Sequence, residues 1–253
     1  MKRKIKDLIG FTMGATDGEM GQVRDFYFDD ASWTIRYLVV ETGNWLLNRK
    51  VLISPQALLA CDWENETFPV NLTQEQIKQS PDIDTDQPVS RQHEIALYAH
   101  YPWTNYWGGG LWAGDIGVAD MIAMGAATDA YHIDEPESIS KMHPEYDPHL
   151  RSALKVWGYH IKALDGSIGD VADFIVDDSD WIINFMVVDT GNWFPGKRVT
   201  IAPQLIKEIS WDTSQVTINA SVAQVKNSPE YDASHQLTTD YELLLKKYYE
   251  QFT

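Results

Sequence analysis

Histidines and carboxylates collect between residues 131 and 160, and both residue types can bind a transition metal. The set comprises His132, Asp134, Glu135, His143, Glu145, Asp147, His149 and His160. Their spacing matches no compact ligand motif, and a polar connecting segment contains such residues in any case. We therefore expect no bound metal or other cofactor. A stress-related protein that binds a metal or a small ligand is kept as the alternative function.

Two acidic motifs could suggest calcium. They are Asp25-x-x-x-Asp29-Asp30 and Asp173-x-x-x-Asp177-Asp178. A calcium loop places its ligands at alternate residues, which these motifs do not. Turn formation at the end of a strand accounts for them better, because an aspartate side chain bonds the backbone of its own turn.

No residue stands out as a nucleophile. Cys61 is the only cysteine and has no histidine near it in sequence, so we expect a small buried apolar side chain. Gly108–Gly110 is not followed by the Lys and Ser/Thr of a phosphate-binding loop, and no serine lies in a nucleophile elbow. We predict that the chain is not an enzyme. An acid–base pair that forms only in the folded chain is the third alternative.

The charge of the chain argues against several partners. It has 37 acidic and 20 basic residues, a net charge of −17, which repels phosphate backbones and anionic membranes. The N-terminus is basic but has no apolar core behind it, and the apolar stretch 108–127 is interrupted by Asp115 and Asp120. We expect a cytoplasmic protein that binds no nucleic acid and does not insert into a membrane.

An internal repeat organises the sequence. Residues 10–101 and 158–249 align at a constant offset of 148 without a gap, and 28 of the 74 residues from 10 to 83 are identical in the second copy. Asp17–Gly18 and Asp165–Gly166 predict turns at equivalent positions. We divide the chain into a first repeat (1–101), a linker (102–152) and a second repeat (153–253).

Each repeat predicts short strands followed by helices. Trp33 to Thr42 and Trp181 to Thr190 are rich in β-branched and aromatic residues and indicate strands that are buried on both faces. Thr73–Gln76 and Ser221–Gln224 fit a capping box at the start of a helix. The predicted fold is mainly β with α: two closed or nearly closed six-stranded barrels, each followed by helices and related by a pseudo-twofold axis.

The repeated motifs resemble those of the PRC-barrel domain family, named from the H subunit of the photosynthetic reaction centre. These motifs are the DG turn, the DD turn before Trp, (I/L)xxxVV(E/D)TGNW and (K/R)VxI(S/A)PQ; the phrases PVSRQHE (88–94) and DPHLRS (147–152) are similar to those of two-barrel bacterial proteins. The resemblance implies an assembly and interaction module with no catalytic residues to carry over. It predicts a protein partner whose identity the sequence does not give.

Five tryptophans are the candidate interface residues. Trp45 and Trp193 follow a strand at equivalent positions, where a large aromatic side chain either closes a barrel end or projects as an interface anchor. Trp103, Trp107 and Trp112 lie in a Gly-rich stretch whose exposed apolar area would be unusual in a monomer. We expect these three to be buried between the barrels or at a homodimer contact.

Overall fold

The structure is a computed structural model that describes residues 1–81, 89, 91–101, 103, 104, 106, 150–191, 198–231 and 237–251. The chain divides into two compact units, residues 1–78 with 149–253 and residues 79–148. The first unit contains the sheets of both repeats. The prediction of a mainly β protein with some helices is confirmed.

The first half of the larger unit contains six strands and two short helices. In order they are β1 (Lys2–Lys4), α1 (Ile5–Leu8), β2 (Thr12–Ala15), β3 (Gly18–Asp29), β4 (Thr34–Thr42), β5 (Lys50–Ile53), β6 (Thr67–Pro69) and α2 (Gln74–Lys78), with 3₁₀ turns at Asn44–Leu46 and Pro55–Ala57. In the smaller unit, the described helix is α3 (Arg91–His100).

The second half repeats this order after residue 149. Its elements are β7 (Leu150–Ser152), α4 (Ala153–Val156), β8 (His160–Lys162), β9 (Ser167–Asp177), β10 (Ile183–Asp189), β11 (Arg198–Ile201), β12 (Ile206–Ser210), β13 (Gln215–Ile218), α5 (Val222–Lys226) and α6 (Thr239–Glu250), with a 3₁₀ turn at Pro203–Leu205.

The predicted turns join β2 to β3 and β8 to β9. The carboxylate of Asp17 accepts a hydrogen bond from the backbone N–H of Gln74 (2.8 Å), and Asp165 accepts one from that of Val222 (2.7 Å). Each aspartate therefore ties its turn to the start of the helix that closes its half. The capping boxes at Thr73 and Ser221 are both formed, as predicted.

The central strands β4 and β10 are buried on both faces. In β4, side chains that alternate along the strand, such as Tyr37 and Leu38, are both fully buried, which confirms the sequence prediction. Gly21 in β3 permits close pairing with β4, because a Cβ atom there would lie 2.0 Å from the carbonyl oxygen of Glu41. Gly169 has the same role against Asp189.

The two halves exchange their first strands. β1 pairs antiparallel with β9 of the second half, and β7 pairs antiparallel with β3 of the first half. We call residues 2–8 (β1 and α1) the first exchanged segment and residues 150–156 (β7 and α4) the second exchanged segment. They differ by the same offset of 148, so the structural repeat begins before the residues that sequence comparison paired.

Each exchanged segment turns back into its own half at a glycine. Gly10 and Gly158 have φ of 92° and 83°, in the left-handed region that favours glycine. Their N–H groups donate to the carbonyl oxygens of Val23 and Val171, both at 2.8 Å. The chain therefore returns from each exchanged segment to its own half with the same local geometry.

The prediction of closed or nearly closed barrels is not met. Among the described residues, the strands form two open sheets, with the orders β5-β4-β3-β2-β6 and β11-β10-β9-β8-β13-β12, to which the exchanged strands β7 and β1 add on β3 and β9. The physical reason lies at Pro55 and Pro203, which begin 3₁₀ turns directly after β5 and β11. Proline has no N–H to continue a ladder, so the pairing stops before the sheet closes.

The last helix buries a narrow face. Leu245 and Tyr249, which are four residues apart in α6, are buried, whereas Leu244 is 54 % exposed. Within the described ranges, no helix is long and apolar enough to cross a membrane.

Candidate functional site

The polar turns before Trp33 and Trp181 meet at the junction of the two halves. The backbone N–H of Ile35 donates to the carbonyl of Trp181 (2.8 Å), and that of Ile183 donates to the carbonyl of Trp33 (2.7 Å). Between these bonds, Thr34 bridges Ile182, its own equivalent in the repeat. A residue that meets its equivalent lies on a twofold axis, so the halves are related by a local pseudo-twofold.

Both tryptophans have a backbone conformation that is uncommon for their residue type. Trp33 has φ of 56° and Trp181 has φ of 59°, in the left-handed region. Such a conformation costs about 1 kcal/mol or more for a residue with a side chain. The hydrogen bonds across the junction offset this cost, because the turn directs each tryptophan carbonyl toward the other half.

Arginine side chains fix the exchanged segments. Arg3 donates through Nε to Asp178 (2.7 Å), and its guanidinium lies 3.4 Å from the ring centroid of Trp63. Arg151 donates through Nε to Asp30, and its guanidinium lies 5.7 Å from the ring centroid of Trp211. All six residues obey the offset of 148, so each half contributes the arginine and the ring, and the other half contributes the acid.

Asp177 adds a further contact on the second half. Its carboxylate accepts a hydrogen bond from the ammonium of Lys2 (2.8 Å). Burial favours the neutral acid, but hydrogen bonds from Lys2 and Ser179 outweigh it and hold the pKa of Asp177 well below its usual range. This ion pair is therefore present throughout the physiological pH range.

Two buried aspartates hold the short helices of the exchanged segments. Asp25 accepts from the N–H of Leu154 (2.9 Å), and Asp173 accepts from the N–H of Lys6 (3.2 Å). Asp25 also accepts from the hydroxyl of Ser152 (2.5 Å). The residue equivalent to Ser152 is Lys4, whose ammonium pairs with Asp7 (3.3 Å) instead.

Burial raises the pKa of both aspartates, because a low-dielectric environment penalises the charged form. The pKa of Asp173 rises to about 6. The hydroxyl of Ser152 lowers the pKa of Asp25 and so opposes the effect of burial there. Asp173, which is 6 % exposed, has no equivalent hydroxyl.

Aromatic side chains fill the space between the two sheets. Phe28 packs on Phe174 with ring centroids 5.2 Å apart, and Trp181 lies 6.2 Å from Phe26 and 5.9 Å from Phe68. Phe26, Phe28, Phe68 and Phe174 are fully buried. The junction therefore has the character of a hydrophobic core shared by the two halves.

A cleft of about 400 Å³ lies on the second half, between α6, β10 and the 3₁₀ turn at Pro203–Leu205. Buried Phe185, Leu205 and Tyr249 line it, and Glu242, Lys246 and Glu250 from one face of α6 stand at its wall together with Asn184, Ala202 and Gln204. Lys2 of the first exchanged segment reaches both Asn184 and Glu242 (3.8 Å). The first exchanged segment therefore contacts two of the residues that line this cleft.

The tryptophans predicted as interface residues lie in different places. Trp45 is half-buried in a 3₁₀ turn and donates through Nε1 to the carbonyl of Met20 (2.6 Å), so it lies against its own half. Trp103, in the smaller unit, is half-exposed and stacks on Tyr101 with ring centroids 4.2 Å apart. Trp107, Trp112 and Trp193 lie outside the described residues.

Other residues considered from the sequence are not brought together. Cys61 is half-buried, and burial raises the pKa of its thiol. His160 is exposed and bonds Asp170 on the neighbouring strand. The remaining histidines and acids between 132 and 149 fall outside the described residues, and the part of the chain that is described holds no group of three or more metal-ligating side chains.

Sequence reasoning missed Arg3 and Arg151. The signal was present, because both residues are arginine and both stand seven residues before an equivalent glycine, Gly10 or Gly158. Only one of the nine residue pairs between 1–9 and 149–157 is identical, so identity alone does not extend the repeat to this stretch. Comparison of the chain with models of known protein families and with curated proteins found no match.

Proposed function

We propose that the chain is a non-catalytic assembly protein built from two PRC-barrel-type repeats, which acts in the cytoplasm by binding a protein partner. The observation that carries the proposal is that repeated aspartates of each half form hydrogen bonds with the other half. Asp25, Asp30, Asp173, Asp177 and Asp178 each bond an exchanged segment of the opposite half. Residues that recur in both copies thus hold the two halves together as one interlocked body.

An interlocked body suits an assembly role for a physical reason. Backbone pairing in both directions fixes the relative position of the two sheets, so a partner that contacts both halves loses little conformational entropy in the protein on binding. The resemblance of the TGNW and PQ motifs to an interaction module points the same way. The acidic surface, at a net charge of −17, favours a partner with a basic face.

The test is native purification of the tagged full chain from its own organism. We expect one protein to co-purify in near-stoichiometric amount and to dissociate as salt is raised, because exposed charges are screened. As a matched control, the variant Arg151→Gln should fold less stably and retain less partner. A chain that elutes alone at every salt concentration, or that shows a reproducible turnover of a small molecule, would overturn the proposal.

The cleft beside α6 favours a second candidate, a small-ligand-binding protein. Its buried aromatic floor and the carboxylate of Glu242 suit a ligand with an apolar body and an amino group. Titration with phenethylamine, followed by protein NMR, is expected to give saturable shifts at the cleft residues. The variant Ala202→Trp should fill the cleft and abolish them; shifts that persist in this variant would remove the candidate.

A further inference from the structure

The two exchanged segments are docked by equivalent aspartates in unequal surroundings. Asp25 accepts the N–H of Leu154, the N–H of Phe26 (2.7 Å) and the hydroxyl of Ser152. Asp173 accepts the equivalent N–H groups, from Lys6 (3.2 Å) and Phe174 (2.8 Å). Asp173 has no counterpart of the hydrogen bond from the Ser152 hydroxyl, because the residue equivalent to Ser152 is Lys4.

We propose that the first exchanged segment is a pH-sensitive strap, which docks firmly on the second half near pH 5 and loosens as the pH rises to 8, with Asp173 as the titrating group. The second exchanged segment stays docked over the same range. Loosening frees residues 175–177 of β9, which now pair with β1, and leaves an unpaired sheet edge to which another strand can add.

The direction follows from proton linkage. Burial under the docked segment raises the pKa of Asp173 to about 6, from 3.8 for a solvated aspartate. Docking therefore favours the protonated acid, and the benefit is lost as the pH rises through 6 and the buried group ionises. Between pH 5 and pH 8 the docking equilibrium is expected to weaken about tenfold.

Charged, phenolic and apolar groups face Asp173 from the elements packed against it. Lys6 and Asp7 of α1 face it and act in opposite directions on its pKa. Tyr231 faces it from the chain after α5; burial raises the pKa of Tyr231 to about 12, so it stays neutral, and Arg198 acts on Tyr231. Val187, which pairs with Asp173 across β10, is apolar.

The outer end of the strap makes ionic contacts with the second half. Lys2 and Arg3 hold Asp177 and Asp178 (2.8 and 2.7 Å). The pKa of Asp177 lies well below its usual range, because the bonds from Lys2 and Ser179 outweigh burial. The hydrogen bond that the amino group of Met1 donates to the carboxylate of Asp178 raises the pKa of that amino group above its usual 8.0. Among the groups of the strap contact with a shifted pKa, Asp173 is the one whose pKa falls between 5 and 8.

Hydrogen–deuterium exchange of the full chain tests the proposal. Protection of the amides of residues 3–9, corrected for the intrinsic rate at each pH, should fall about tenfold from pH 5 to pH 8. Protection of residues 151–157 should change less than twofold and is the internal control. Equal pH dependence of the two segments, or a pH-independent first segment, would overturn the proposal.

Two variants separate the titration of Asp173 from other causes. Asp173→Asn removes the titrating group, so protection of residues 3–9 should lose its dependence on pH. Lys4→Ser restores the hydroxyl that Ser152 supplies on the other half, and the fall in protection should shrink to less than about threefold. A full tenfold fall in Lys4→Ser, or in a folded Asp173→Asn, assigns the change to another group and refutes the role of Asp173.

Discussion

At the scale of single residues, identity between the two copies marks places where the backbone is constrained. Gly21 and Gly169 admit a neighbouring strand, and Trp33 and Trp181 accept a left-handed φ to direct their carbonyls across the junction. Asp30 and Asp178 each receive an arginine from the opposite half. These residues contribute differently to the free energy of unfolding, and single substitutions can measure each contribution.

Gly21→Ala is expected to lower the free energy of unfolding by about 3 kcal/mol or more, because the new Cβ would lie 2.0 Å from the carbonyl oxygen of Glu41. Gly43→Ala is the matched control, since Gly43 has a negative φ and no atom lies within 4 Å of the position that its new methyl group would take. Urea denaturation checks both. Equal effects of the two substitutions would contradict the close-approach argument.

Arg151→Gln is expected to lower the free energy of unfolding by about 3 kcal/mol, because it leaves the carboxylate of Asp30 partly buried without its cation. Arg24→Gln, which breaks the more exposed pair with Glu41, should cost less than about 1 kcal/mol. The comparison uses chemical denaturation at pH 7 and low salt. If the two variants lose similar stability, the Arg151–Asp30 contact does not hold the segment.

At the scale of elements, short helices are placed by contacts at their first turn. α5 has five residues, too few to be stable by itself. It begins at a capping box, in which the side chain of Ser221 accepts the backbone N–H of Gln224 and the side chain of Gln224 accepts the backbone N–H of Ser221. The carboxylate of Asp165 accepts the backbone N–H of Val222. α1 and α4 have four residues each and depend on the aspartate of the opposite half.

Ser221→Ala is expected to lower the free energy of unfolding by about 1 kcal/mol, since the N–H of Gln224 loses its acceptor. Thr213→Ala, in an exposed turn, is the control and should change stability by less than about 0.5 kcal/mol. Thermal melts of the three proteins measure the difference. No loss in Ser221→Ala would mean that tertiary packing alone positions α5.

At the scale of the whole molecule, the larger unit is one interlocked body. The exchange of β1 and β7 places backbone hydrogen bonds in both directions, and the aromatic side chains at the junction form a shared core. Neither half is then complete without the other. Unfolding of this unit should be a single cooperative transition.

Cleavage of the chain between the halves tests the interlock. With a protease site introduced between residues 107 and 149, the cut protein should elute at the volume of the intact protein and separate only in denaturant. The same protein with Arg3→Gln and Arg151→Gln should separate at lower denaturant concentration. Halves that part under native conditions would contradict the exchange of strands.

Local patterns in the sequence are sufficient to predict the repeat, the types of the main elements and the chemistry of the turns. β-Branched and aromatic residues define β4, Asp17–Gly18 defines a turn, and Thr73 and Ser221 define helix starts, because each of these signals is local. The tryptophans proposed as interface residues stay a prediction, since their spacing says nothing of what they contact.

The sheet that each exchanged segment joins, and the open edges of both sheets, are evident only in the folded chain. The choice of β9 by β1 depends on residues far apart in the chain, such as Lys2 and Asp177, and three-residue strands have no pattern that specifies a partner. The burial of Asp173, and with it the raised pKa, likewise follows from a contact with α1 of the other half. Long-range pairing and desolvation are properties of the packed chain, and local sequence does not encode them.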